Sequence, residues 1–109
     1  STQKKEHFVF EEHFRFILKN LFYICGFKVE EEVQMASGRI DLVVETPNII
    51  YIMELKMSDN GGKVAATNQL DSRHYADAYC ASHKQVTCLS LVFDKDNRGL
   101  VDWEETSNI

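Results

Sequence analysis

The stretch Gly38-Arg39-Ile40-Asp41-Leu42-Val43-Val44-Glu45-Thr46-Pro47-Asn48-Ile49-Ile50-Tyr51-Ile52-Met53-Glu54-Leu55-Lys56 decides how this chain is read. It reads as two strands and a turn. Side chains alternate along a strand, so Arg39, Asp41, Val43 and Glu45 share one face while Ile40, Leu42 and Val44 line the other. In the second strand Ile50, Ile52, Glu54 and Lys56 share a face, and Tyr51, Met53 and Leu55 share its reverse. A turn centred on Pro47 and Asn48 sets Thr46 opposite Ile49. The same register sets Asp41 opposite Glu54 and Arg39 opposite Lys56. Directly opposed Cβ atoms lie roughly 5 Å apart, where like charges are unfavourable. A divalent cation between the carboxylates, a shared proton or the adjacent Lys56 ammonium would offset the repulsion. A loop one residue longer would flip one strand's faces.

Upstream, Phe10, Phe14, Ile17, Leu18, Leu21, Ile24 and Cys25 recur at the spacing of an amphipathic helix from about Phe10 to Cys25, ended by Gly26. Glu11 sits at the edge of the apolar stripe with Arg15 one turn further along that edge, and Glu12 projects from the opposite side. Glu11 and Arg15 can serve a site or form a solvated ion pair. Phe27 to Val33 predicts a first strand carrying Glu30, Glu31 and Glu32, and Glu32 is the acid nearest Asp41 through the hairpin that follows.

Downstream, Gly61-Gly62-Lys63 is not a phosphate loop: Met57 stands where the first glycine is needed and Val64 where Ser or Thr is needed. A second helix is expected from about Lys63 to Cys80, its small apolar pattern interrupted by Gln69 and Tyr75. Val86 to Phe93 predicts a central strand buried on both faces. Leu100 to Trp103 predicts a short last strand before a frayed tail.

The 109 residues, 44% of them hydrophobic, suffice for one core, so residues 1–109 read as a single domain. A net charge of -5 argues against nucleic-acid binding through a general basic surface. Cys25, Cys80 and Cys88 offer neither a paired disulfide set nor zinc-ligand spacing, which fits a reducing cytoplasm. No apolar run reaches the ~20 residues of a membrane span. The start at Ser1 rather than Met suggests a domain excised from a longer chain.

The order helix, strand, hairpin, helix, strand, with Asp41 followed by Glu54-Leu55-Lys56, resembles the PD-(D/E)XK, or restriction endonuclease-like, nuclease superfamily. Gly38-Arg39-Ile40-Asp41, Tyr51-Ile52-Met53-Glu54-Leu55-Lys56, Ala66-Thr67-Asn68-Gln69-Leu70 and Tyr75 are similar to the branch found at the C-terminus of bacterial AAA-ATPase-like proteins. The likeness runs from Glu11 to Trp103. It implies an α/β fold with a three-layer α/β/α core, element order α-β-β-β-α-β, a mixed central sheet and a short final strand.

The resemblance also implies a Mg²⁺-dependent nuclease, with Mn²⁺ as substitute, acting on nucleic acid, DNA foremost, beside an ATPase domain of the same full-length chain. Asp41 and Glu54 match the metal-binding acids, the Leu55 carbonyl the backbone ligand, Lys56 the catalytic lysine and Gln69 the polar residue of the second helix. Glu11 falls where the branch carries a further acid. Arg15, Arg39 and Tyr75 are the expected substrate contacts, although the branch more often has Gln or His at the position of Arg15. A homodimer is compatible with this fold. The alternative is a catalytically idle module of the same fold, serving regulation or protein binding.

Overall fold

The computed structural model describes residues 2–35, 38–59, 63–64, 77–94, 96 and 99–108. Its centre is the hairpin of β2 (Gly38–Glu45) and β3 (Ile49–Asp59), antiparallel in the register that the Pro47-Asn48 turn predicts, from Glu45 opposite Ile50 to Leu42 opposite Met53. Thr46 closes the turn: its N–H donates to the Ile49 carbonyl at 2.8 Å, and its Oγ1 accepts the Ile49 N–H at 3.0 Å.

The sheet grows from both edges of this hairpin. β1 (Lys28–Met35) pairs antiparallel with β2, while β5 (Gln85–Asp94) runs parallel to β3 from Ile49 opposite Gln85 to Ser58 opposite Asp94. β6 (Gly99–Asn108) pairs antiparallel with β5, giving the mixed order β1-β2-β3-β5-β6. A parallel pair requires a crossover connection. Residues 60–84 supply it, and its described parts are β4 (Lys63–Val64), a helical turn at 77–79 and a 3-10 turn at Cys80–Ser82.

Helix α1 (Thr2–Ile24) starts earlier than its apolar pattern indicates. It ends in a glycine cap. Gly26, at φ +89°, donates to the Tyr23 carbonyl at 3.0 Å, and Phe27 donates to the Phe22 carbonyl at 3.1 Å. The Phe22 and Phe27 rings close the cap, with centroids 6.5 Å apart. Phe10, Phe14, Leu18 and Phe22 turn inward onto Leu42, Val44, Met53, Leu55, Met57 and Phe93, and the Phe14 ring stacks on Phe93 at 4.3 Å. Ile40, Val43, Ile50, Ile52 and Val86 form a second cluster, to which Val33, Met35, Tyr79 and Cys88 add.

Several expectations are corrected. Ile17, Leu21 and Ile24 are exposed rather than core-facing, because the inward stripe is the i, i+4 row through Phe22. Ile40 joins the Val43 side of the sheet rather than that of Leu42, so strict alternation breaks at Asp41. Lys63 and Val64 extend the sheet by pairing with Asp59 and Ser58 instead of opening a helix. The last strand is ten residues long, not short. The middle of β5, Cys88 to Leu91, is half-buried, because α1 packs chiefly on β1, β2 and β3 and reaches β5 at its far end, through Phe14 on Phe93. The rest of the expected second helix, with Gln69 and Tyr75, lies outside the described residues, and the three-layer arrangement depends on it. Among the described residues no helix is long and apolar enough to cross a membrane.

Candidate active site

The site forms where the β2 ladders are interrupted. Every β2 residue except Asp41 has a partner in β1: Glu31 faces Leu42 and Val33 faces Ile40, leaving no rung between Glu32 and Asp41. On the other side, the β2–β3 ladder stops at Leu42 and Met53, one step short of Asp41 and Glu54. The Leu55 N–H is satisfied by a side chain instead, donating to Asp41 Oδ2 at 2.8 Å. Asp41 therefore serves as a backbone partner while its other oxygen, Oδ1, lies 3.8 Å from Arg39 Nη2.

Asp41 is only 8% exposed, and burial pushes its carboxyl above the usual carboxylate range despite the Leu55 hydrogen bond and the charges of Arg39 and Arg15. Glu54 is raised as well, by burial first and by the Asp41 charge, with the Lys56 ammonium opposing. Glu11 of α1 completes the group: burial raises it, followed by the Asp41 charge, while Arg39 and Arg15 act against the rise. Asp41 is thus the carboxylate to which both Glu11 and Glu54 respond. The sequence pattern places these acids on three elements, and the fold brings Glu11 and Glu54 each within reach of the Asp41 charge.

Glu54 Oε1 is buried and, among the described residues, has no hydrogen-bond partner. A buried carboxylate oxygen without a donor is costly, and a cation is the partner that suits it. Asp41 and Glu54 are hard oxygen donors of the type that Mg²⁺ or Mn²⁺ takes, so the residues present fit such an ion. Among the described residues, no three His, Cys, Asp or Glu side chains already stand in a ready-made ligand cluster.

Arg15 is 6% exposed, and its guanidinium is enclosed by carboxylates. Glu12 and Glu32 each lie 2.5 Å from it and Glu31 lies 3.6 Å from it. Glu32 adopts φ +53°, a left-handed conformation unfavourable for a side-chain-bearing residue, at the missing rung opposite Asp41. Arg39 is the more accessible cation and also approaches Glu32, at 3.9 Å. Lys56 is half-buried on β3, two residues beyond Glu54 on the same face. Glu12, expected on the opposite side of the helix from Arg15, instead pairs with it one turn on, and the signal for the Arg15 cluster in the sequence is Arg15 and Lys19 four places apart on a helix, facing the acids 30–32.

A protein of Azotobacter chroococcum mcd 1, described as "Uncharacterized protein in vnfD 5'region", is 28% identical over 92 residues. That match covers 84% of this chain and only 18% of the relative, so the chain spans under a fifth of that protein's length. The family model of the PD-(D/E)XK nuclease superfamily matches residues 9–103, from the first helix through the site to Trp103. With the interrupted ladders, Asp41 and the Glu54-Leu55-Lys56 run inside that span, this chain belongs to the PD-(D/E)XK nuclease superfamily.

Proposed function

We propose that this domain is a Mg²⁺-dependent nuclease that hydrolyses phosphodiester bonds of nucleic acid, with DNA the substrate class favoured. The observation that carries the reading is the buried, partnerless Oε1 of Glu54 beside a second carboxylate, Asp41, whose charge raises it further. Such an arrangement is unfavourable for the metal-free fold, and its use lies in what it binds.

Asp41, Glu54 and the Leu55 carbonyl are the proposed ligands, with Glu11 as an outer acid. A bound Mg²⁺ would supply charge neutralisation at the phosphate and a more acidic water. The chain's own groups do the remainder. The Leu55 N–H holds Asp41 in one orientation. Lys56 orients the attacking water and offsets negative charge at the phosphoryl oxygens. Arg39, with its accessible guanidinium, contacts a flanking phosphate. Arg15, occupied by Glu12, Glu31 and Glu32, acts on substrate through the frame that carries Glu11 and Glu32. Gln69 and Tyr75 are proposed to approach from the second helix.

The net charge of -5 weakens attraction to a polyanion, so a further domain of the same polypeptide, of the AAA-ATPase type, is proposed to assist DNA binding in the cytoplasm. The test is Mn²⁺ titration by calorimetry joined to plasmid cleavage. Wild type should bind metal near one ion per chain and cleave. Asp41→Ala should lose both, whereas Lys56→Ala should keep metal and lose turnover. A folded wild-type chain that binds no metal at millimolar concentration, with or without DNA, would identify the idle regulatory module instead.

A further inference from the structure

We propose that the open edge of β6, with the uncovered apolar face beside it, binds an extended peptide segment in which apolar and basic residues alternate. β6 ends the sheet order, so among the described residues one of its edges has no strand beside it. A ten-residue edge strand presents a row of unpaired backbone groups, a template for strand addition.

Register divides residues 100–104 of β6 into two chemistries, and Glu105, opposite Leu89, stands on the α1 side beyond them. Trp103 faces Leu91 and Leu100 faces Phe93, so both lie on the α1 side of the sheet. Asp102 faces Val92 and Glu104 faces Ser90, which places these acids on the opposite side. Trp103 is 63% and Leu100 48% exposed. The apolar side continues across the half-buried Leu89 and Leu91 to the flank of α1. Arg15 and Lys19 reach Glu31 and Glu32 of β1, which fixes the flank of α1 that faces β1. Ile17, Leu21 and Ile24 lie on the other flank, toward β5 and β6, and all three are exposed.

Charge selects the occupant. Asp102, Glu104 and Glu105 are exposed and enter no ion pair among the described residues, and the sequence from Gly99 to Asn108 contains no Lys or Arg. A second copy pairing through β6 about a two-fold axis at Trp103 would set Asp102 against Glu104 twice, which is unfavourable. A strand with Lys or Arg opposite Asp102 and Glu104, and apolar residues opposite Leu100 and Trp103, satisfies both sides at once.

Trp103 is the chain's single tryptophan and so reports on this edge alone. The 109-residue chain is titrated with a synthetic peptide of alternating valine and lysine, and with one of alternating valine and glutamate, while Trp103 emission is followed. The lysine peptide should give a saturable blue shift and the glutamate peptide none. Asp102→Lys/Glu104→Lys should weaken the lysine peptide about tenfold and admit the glutamate peptide. Methylating alternate amides of the lysine peptide should abolish the shift, since backbone pairing would be lost. No shift with the lysine peptide, equal shifts with both peptides, or binding indifferent to methylation would each overturn the proposal. So would a Trp103 shift that grows with protein concentration alone while sedimentation reports a dimer, because the occupant would then be a second copy.

Discussion

Asp41 Oδ2 takes the Leu55 N–H at 2.8 Å, so a side chain of β2 completes the backbone of β3 where their ladder has ended. The bond ties this buried acid to the strand that carries Glu54 and Lys56. Asp41→Ala leaves a buried N–H without an acceptor, costing about 1–3 kcal/mol, while Asp41→Asn retains an acceptor and removes a buried charge. In chelator, Asp41→Asn should therefore melt at or above the wild-type temperature and Asp41→Ala below Asp41→Asn. Equal melting of the two variants would deny the bond a structural role.

The raised carboxyls of Glu11, Asp41 and Glu54 set a pH dependence for the metal-free protein. A carboxyl whose folded pKa lies above its unfolded value binds more protons in the folded state over that interval, so stability falls as pH rises through it. The window opens at the ordinary carboxylate values, 3.8 for Asp41 and 4.5 for Glu11 and Glu54, and extends upward to their raised folded values. Denaturant melts in chelator should show that decline. Glu54→Gln should flatten it, and Mn²⁺ should restore stability at the high-pH end as a ligand of the folded state. A decline unchanged in Glu54→Gln would place the titration elsewhere.

The hairpin, its register, the faces of β3 and a central strand at Val86–Phe93 are legible because Pro47-Asn48 fixes the turn, alternation fixes the faces and continuous apolarity marks the strand, whereas the parallel pairing of that strand with β3 is not. Ile40 was misplaced because alternation assumes an unbroken ladder, and nothing in the sequence announces that the rung between Glu32 and Asp41 is missing. The inward stripe of α1 is ambiguous in the sequence because Ile17, Leu21 and Ile24 are as apolar as Phe10, Phe14, Leu18 and Phe22, and only contact with the sheet selects between adjacent rows. Lys63-Val64 shows the same limit, since two residues cannot display a period. At the site, register sets Asp41 opposite Glu54 and alternation sets Lys56 on the Glu54 face, while the role of each is implied by the resemblance alone. The convergence of Glu11 on Asp41 required the tertiary fold, and so did the enclosure of Arg15.

The cap at Gly26 offers a test free of the site. Its φ of +89° is left-handed, and among the described residues no atom beyond its chain neighbours lies within 4 Å of the position that a Cβ would take, so backbone strain is what opposes a side chain there. Gly26→Ala should cost about 1 kcal/mol, read as a lower denaturation midpoint with an unchanged slope, and leave metal affinity as it was. A cost above roughly 3 kcal/mol would imply that the cap does more than end α1.

Arg15 joins folding to the site more directly. Its guanidinium holds acids from α1 and β1 together, with Glu12 and Glu32 at 2.5 Å and Glu31 at 3.6 Å, and Glu32 is the residue in the left-handed conformation beside Asp41. Removing the arginine leaves those carboxylates facing one another. The acids are partly exposed and can rehydrate, so the expected cost of Arg15→Ala is about 2 kcal/mol rather than the 3–5 of a wholly buried pair. Arg15→Lys should recover little of it, because one ammonium cannot serve three carboxylates from a planar fork. If Arg15 acts through the frame, Arg15→Ala should weaken Mn²⁺ binding and turnover together while the DNA affinity of the metal-free protein stays near wild type. A selective loss of DNA affinity with metal binding intact would instead make Arg15 a direct phosphate contact.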